Sequence, residues 1–209
     1  MAYSYLTSPA VQRVLKNTRA LLRWGGVTEE WYSLFENGPY TFAPYKVAYR
    51  GEISNRFAAT VVSSTTIEGL GERLILPDQT VHFVPCQDED SAMYLAAIFN
   101  SAPVSFFYQA FGYKHPSTFF VAQLRIPPFV SGLHRCVALS RLARQATNEA
   151  RYRAPDPSLI EHLDYAAGEV LGLSSADVRL SRDSLVSPSS AHRRSMPSAS
   201  ELDRAQVAD

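Results

Sequence analysis

The chain has 209 residues, with Lys+Arg and Asp+Glu equal at 20 each, and 46% of it is hydrophobic. That length suits one domain with at most an appendage, the apolar content is enough for a sizeable core, and the zero net charge argues against gripping nucleic acid by bulk electrostatics. No stretch approaches the ~20 apolar residues of a membrane span, and the start, MAYSYLTSPAVQR, lacks the layout of a signal peptide.

Cys86 and Cys136 are far apart and form no metal-ligand pair, so a reduced, cytoplasmic compartment is expected. Ser8-Pro9 reads as the N-cap and first residue of a helix running to about Trp24. Val11, Val14, Leu15, Leu21 and Leu22 give it an apolar face, and Arg13, Lys16, Arg19 and Arg23 a basic one. A short helix is expected from Thr28 through Phe35, stopped by Asn37-Gly38-Pro39.

From Tyr45 the pattern becomes strand-like. Tyr45-Lys46-Val47-Ala48-Tyr49-Arg50 alternates with period two, which sets Lys46, Ala48 and Arg50 on one face and Tyr45, Val47 and Tyr49 on the other. Residues 57–62 read as a second strand. Residues 73–76 and 80–84 read as a third and fourth, joined by the turn signal Pro77-Asp78-Gln79.

The densest apolar stretch follows, over residues 91–129. Asp88-Glu89-Asp90 suits the positive end of a helix through residues 93–99. Asn100 is expected as a left-handed C-cap, and Ser101 as the N-cap of a second helix over residues 102–111 with Pro103 in its first turn. Tyr113-Lys114-His115-Pro116-Ser117-Thr118 reads as an exposed polar loop before the chain re-enters the core at Phe119-Phe120-Val121. Further helices are expected over residues 132–152, over 158–171, and after Ser174-Ser175-Ala176-Asp177.

The predicted fold is therefore α+β: a small mixed sheet with a central helical pair, flanked by N- and C-terminal helices. The expected divisions are a helical segment over 1–39, a core over 40–130, a helical segment over 131–185, and a Ser/Ala/Arg-rich tail over 186–209. The tail has too few large apolar groups to offset its ordering entropy, and disorder is expected there.

The catalytic templates fail. Gly69-Leu70-Gly71 is a lone GxG whose neighbours Glu68 and Glu72 would repel phosphate. The five histidines are scattered without zinc spacing, and there is no GxSxG elbow. The acidic run at 88–90 reads as a solvated helix start in preference to a metal site. No catalytic residue, no metal site and no cofactor site in this chain is nominated. What remains is a candidate surface of Lys46, Arg50 and Arg56 with the polar loop Tyr113, Lys114, His115, Ser117 and Thr118. Cationic and hydroxyl groups of this kind contact phosphates and base edges, and an aromatic can wedge against a base. Ordinary solvated charge is the alternative for each residue taken singly.

Three pieces of this chain resemble a known family. They are Tyr45-Lys46-Val47-Ala48-Tyr49-Arg50-Gly51 followed by Phe57-Ala58-Ala59; Ala92-Met93-Tyr94-Leu95-Ala96-Ala97-Ile98-Phe99-Asn100-Ser101; and Gln123-Leu124-Arg125-Ile126-Pro127-Pro128-Phe129. In order and spacing they are similar to the target-recognition (Taq-type specificity) domain of adenine-specific DNA methyltransferases of restriction–modification systems, also found in single-chain type IIG enzymes. The resemblance spans roughly residues 40–175.

That family's Gly-containing cofactor loop and Asn/Asp-Pro-Pro-Tyr/Phe catalytic motif are both missing; Ile126 stands where the catalytic Asn or Asp would be. The resemblance therefore implies a specificity module that binds duplex DNA and is not catalytic by itself. Methyl transfer, with its S-adenosylmethionine, would belong to a methyltransferase catalytic domain or subunit as partner. Base flipping makes such a separate reader physically sensible. The competing expectation is a protein-interaction module without DNA binding, using Val11, Leu15 and Leu22 or the apolar face between Leu133 and Ala143.

Overall fold

The structure is a computed structural model that describes residues 9, 38–50, 56–77, 80–111 and 118–186. The chain divides into two compact units, Met1–Ala43 and Pro44–Asp209. In the first, Pro39–Phe42 form a 3-10 turn closed by the Gly38 N–H on Thr41 Oγ1 at 3.1 Å. The helices expected over 8–24 and 28–35 and the tail after 186 lie, Pro9 apart, outside the described residues.

The second unit is built on a three-stranded sheet in the order β2–β1–β5: β1 (Tyr45–Arg50), β2 (Ala59–Val62) and β5 (Val81–Cys86). The register pairs Val47 with Val61 and Val84, and Tyr49 with Ala59 and His82. Cross-strand partners point to the same side, so these residues form the face that joins the core, and Lys46, Ala48 and Arg50 share the other, as the alternation predicts. The sheet is antiparallel throughout and not mixed. A parallel neighbour would need a crossover of a dozen or more residues, whereas the chain between β2 and β5 is spent on a hairpin.

That hairpin joins β3 (Ser64–Ile67) to β4 (Gly71–Leu74) in a separate two-stranded ribbon. Residues 73–76 therefore do not pair with β5, as the sequence reading expected. The GxG is the ribbon's turn, with Gly69 and Gly71 both left-handed at φ 77 and 72, a conformation that costs glycine no Cβ clash. The ribbon is exposed on both faces, including Ile67, Leu70 and Leu74.

Six α-helices follow: α1 (Glu89–Asn100), α2 (Ala102–Phe111), α3 (Thr118–Gln123), α4 (His134–Ala150), α5 (Pro157–Val170) and α6 (Ser175–Val186). α1 lies across the core face of the sheet, and α4 packs on it from the other side. Seven of its residues are consequently buried, Ile98 and Phe99 completely, each contributing about 1.5–3 kcal/mol of apolar burial. α5 packs on α4, and α6 closes against α2 and α5. At that last contact Gly168 leaves the space its Cβ would fill, 2.2 Å from Val178 Cγ2. The C-terminal helices thus belong to the same compact unit as the sheet.

Polar groups lock these layers. Asp88 caps α1 by accepting from the Ser91 N–H at 2.8 Å. Arg144 of α4 reaches back to Glu89 at 3.2 Å and Asp90 at 2.8 Å, and Ser140 donates to Asp90 at 3.2 Å. The acidic run is a cap and a clasp between helices. Among the described residues, no group of His, Cys, Asp or Glu is arranged to hold a metal, and no helix is long and apolar enough to cross a membrane.

The helix break differs from its expected form. Asn100 is the last helical residue and not a left-handed cap; Ser101 takes extended backbone, and its hydroxyl turns back to the Ile98 carbonyl at 2.7 Å. The Asn100 amide instead holds the edge of the sheet. Its Oδ1 accepts from the Ala59 N–H at 2.9 Å, and its Nδ2 donates to the Ala59 carbonyl at 2.8 Å. Asp164 of α5, 2% exposed, then caps α2 by accepting from the Ala102 N–H at 2.7 Å.

Two outcomes test this framework. Asn100→Ala removes both bonds to the edge strand and should cost about 1–2 kcal/mol, read as a lower urea midpoint with an unchanged slope. Asp90 has its carboxyl held below the usual range, first by the Arg144 hydrogen bond. Its contribution is therefore complete above the unfolded value of about 3.9 and lost as pH falls through the folded one. The stability gap between wild type and Asp90→Asn should be no more than about 1 kcal/mol, because the pair is half exposed and solvent-screened. It should close as the pH falls below the unfolded value.

Candidate nucleic-acid interface

The sequence-nominated cations separate by burial. Arg50 at the end of β1 is exposed, and so is Arg56, just before β2. Lys46 is completely buried. Its Nζ lies 6.0 Å from the Phe83 ring centroid, and desolvation pushes its pKa below the ordinary lysine value. Alternation placed Lys46 correctly on the face shared with Arg50. That face is closed at Lys46 and open at Arg50, so Lys46 is withdrawn as a phosphate contact.

Tyr113, Lys114, His115 and Ser117 lie outside the described residues. Thr118 opens α3, so the polar segment gives way to helix at the residue where the loop was expected to end.

Arg50 and Arg56 bracket the connection between two neighbouring antiparallel strands, and therefore sit at the same end of the sheet. Phe57, adjacent to Arg56 and 2% exposed, is the hub of an aromatic cluster. Its ring centroid lies 5.3 Å from Tyr49, 5.2 Å from Phe99, 5.9 Å from Tyr108 and 5.5 Å from Phe120. Tyr108 belongs to α2 and Phe120 to α3, the two helices that flank residues 112–117 in sequence. Those two rings are themselves 5.1 Å apart, edge to face, and aromatic pairs of this kind are worth about 0.5–1.5 kcal/mol beyond their area. The described ends of both candidate segments thus meet on one rigid cluster.

Asp164 lies close enough for the charge of Arg56 to act on it. Burial, the largest influence, raises the Asp164 carboxyl; the Ala102 N–H, Arg182 and Arg56 oppose the rise. Arg182 of α6 donates to Asp164 at 3.0 Å and lies 3.5 Å from Glu161.

Two of the segments on which the family resemblance rests meet on the third, residues 92–101, which makes up most of α1. Asn100, at its end, holds Ala59. Tyr94, in its middle, donates from its hydroxyl to the Pro127 carbonyl at 2.9 Å, and its ring meets Phe129 edge-on at 5.6 Å. Burial pushes this phenol up to about 12, and the neighbouring Cys136 adds to the rise. Arg125 takes left-handed backbone at φ 45, and the chain leaves it along Ile126-Pro127-Pro128-Phe129 to be pinned by Tyr94.

Two features escaped the sequence reading. The roles of Asn100 and Asp164 depend on partners 41 and 62 residues away, and no local spacing announces them. The other is a cleft along α4, lined by Arg141, Arg144, Asn148, Glu149, Tyr152 and Arg153. Its helical spacing is visible in the sequence, but the basic residues of α4 look there like an ordinary solvated face. The alternative apolar docking face on this helix is spent internally, since Cys136, Leu139 and Ala143 are buried in the core cluster. Comparison of the chain with protein-family models, with curated proteins and with solved structures gave no match.

Proposed function

We propose that this chain is the target-recognition module of an adenine-specific DNA methyltransferase or restriction–modification assembly. It would bind duplex DNA while a catalytic domain or subunit carries S-adenosylmethionine and transfers the methyl group. The observation that carries this reading is the convergence of two family-like segments on the third, in α1, through the Asn100–Ala59 and Tyr94–Pro127 bonds. A rigid scaffold that presents loop residues is the arrangement a reader of flanking bases needs.

In this reading Arg50 and Arg56 and the segment with Tyr113, Lys114, His115, Ser117 and Thr118 face DNA. A good bidentate base contact adds about 1–3 kcal/mol of discrimination, and phosphate contacts set the register.

A second reading, a protein-interaction module, is favoured by the exposed β3–β4 ribbon. Ile67, Leu70 and Leu74 are 43%, 58% and 40% exposed there. Glu68 and Glu72 beside them would repel a phosphate backbone.

The deciding measurement is fluorescence anisotropy of a labelled mixed-sequence duplex across a salt series. Wild type should bind with an affinity that falls steeply with salt. Arg50→Glu/Arg56→Glu should weaken binding about tenfold or more at low salt and flatten the salt slope by about two. Wild-type-like binding by this variant would remove both arginines from the interface. No binding even together with a catalytic partner would favour the protein-interaction reading.

A further inference from the structure

The cleft along α4 has a volume of about 560 Å3 and a regular origin. Arg141, Arg144, Asn148 and Tyr152 follow one another at three- and four-residue steps, which puts them on one helical stripe. The core-facing stripe of the same helix is Cys136, Leu139, Ser140 and Ala143, so the cleft looks outward. At its end α4 closes with the N–H groups of Tyr152 and Arg153 on the Glu149 carbonyl, at 3.0 and 3.1 Å. This turn presents Arg151, Tyr152 and Arg153 in succession, all exposed, with Tyr152 88% exposed.

A tyrosine this bare keeps a large apolar ring in water, where it contributes nothing to the core. The acids around it are ion-paired or hydrogen-bonded, Glu149 and Asp156 keeping their negative charge. Glu89 and Asp90 are paired with Arg144. Glu149 accepts from the Asp156 N–H at 3.1 Å and from Gln145 at 3.2 Å, and Asp156, within Coulombic reach of Arg153, caps α5. Among the described residues, none forms an ion pair with Arg141, Arg151 or Arg153.

We infer that this cleft is a second nucleic-acid contact, in which Arg141 and Arg153 engage backbone phosphates and Tyr152 offers a stacking platform for an unpaired base. Exposed cations lining one cleft with a bare aromatic ring match what a sugar–phosphate strand with an accessible base requires. Stacking needs no particular base, so the cleft would follow a strand without reading its sequence. Arg144 is fixed by Glu89 and Asp90 and serves as the cleft's floor. The choice of nucleic acid among polyanions rests on the function proposed above; the site itself is separate from Arg50 and Arg56.

The test uses the full chain with a labelled mixed-sequence duplex and, separately, one of its strands, each titrated across a salt series. Arg141→Glu/Arg153→Glu should bind both probes about tenfold or more weakly at low salt, and its duplex slope should be flatter by about two. Arg141→Gln/Arg153→Gln should fall between this variant and wild type, with an unchanged thermal midpoint showing that both variants fold. Tyr152→Ala should weaken the single strand about tenfold and the duplex less.

Wild-type affinity and slope in the charge-reversed variant would overturn the inference. So would failure of the wild type to bind either probe, or its preference for phosphatidylserine-containing vesicles over both. Arg50→Glu/Arg56→Glu run in parallel separates the two claims. If that variant binds like wild type while the cleft variant does not, the recognition site falls and the cleft stands; the opposite pattern sinks the cleft alone.

Discussion

α1 is enclosed, with the sheet on one side and α4 on the other, and this enclosure governs the rest of the unit. A helix packed on opposite sides cannot rely on water along most of its length, and the orphan backbone groups at its ends need partners. Asp88 supplies one at the start. At the far end Ser101 answers the Ile98 carbonyl, which frees Asn100 to pair with the edge strand. The next helix begins one residue later with its first N–H buried, and a carboxylate from α5 has to come to it. A buried carboxylate without partners would cost several kcal/mol, so Arg182 of α6 is drawn in as well. The positions of β2, α2, α5 and α6 are thus linked to one helix by hydrogen bonds as well as by apolar contact.

The same enclosure fixes where the variable parts of the chain can be. Phe57 sits two residues before β2 with four aromatic neighbours, and these come from β1, α1, α2 and α3. Interiors packed to crystal-like density transmit displacement and do not absorb it. Residues adjoining this cluster, Arg56 foremost, therefore start from a fixed point. A reader of DNA needs that property more than it needs high charge, because base discrimination depends on donors held to fractions of an ångström.

Much of this was legible in the sequence, for physical reasons that vary by element. The long helices were readable because their apolar periodicity is strong and acidic residues such as Asp88 mark the start of α1; α3 was not, because six residues are too few to show a helical period. β1 was readable because one of its faces is core, so Val47 and Tyr49 alternate with Lys46 and Arg50. β3 was not, since a ribbon exposed on both faces has no buried side to impose a period. Ser64-Thr65-Thr66 shows no alternation to read, and the two glycines of the turn stand out only as a lone GxG. Asn100 misled for a different reason: the residue suits a local cap, but its amide has the same donor and acceptor as a peptide group and was taken by the strand. Lys46 shows the limit of alternation, which assigns a face without saying whether that face meets water.

A chain with zero net charge has no long-range field to steer it onto DNA. Over a Debye length of about 8 Å at physiological salt, only local charge matters. Here exposed arginines stand at the β1–β2 end of the sheet and along α4, while the β3–β4 ribbon carries Glu68, Glu72 and Arg73 with bare aliphatics. The proposed recognition module would have two surfaces to provide, one for DNA and one for a protein that performs the chemistry. The arginine-bearing surfaces suit the first requirement. The ribbon, whose Glu68 and Glu72 disfavour phosphate and whose Ile67, Leu70 and Leu74 gain by burial, suits the second. On the function proposed above, the two readings would describe different faces of one module.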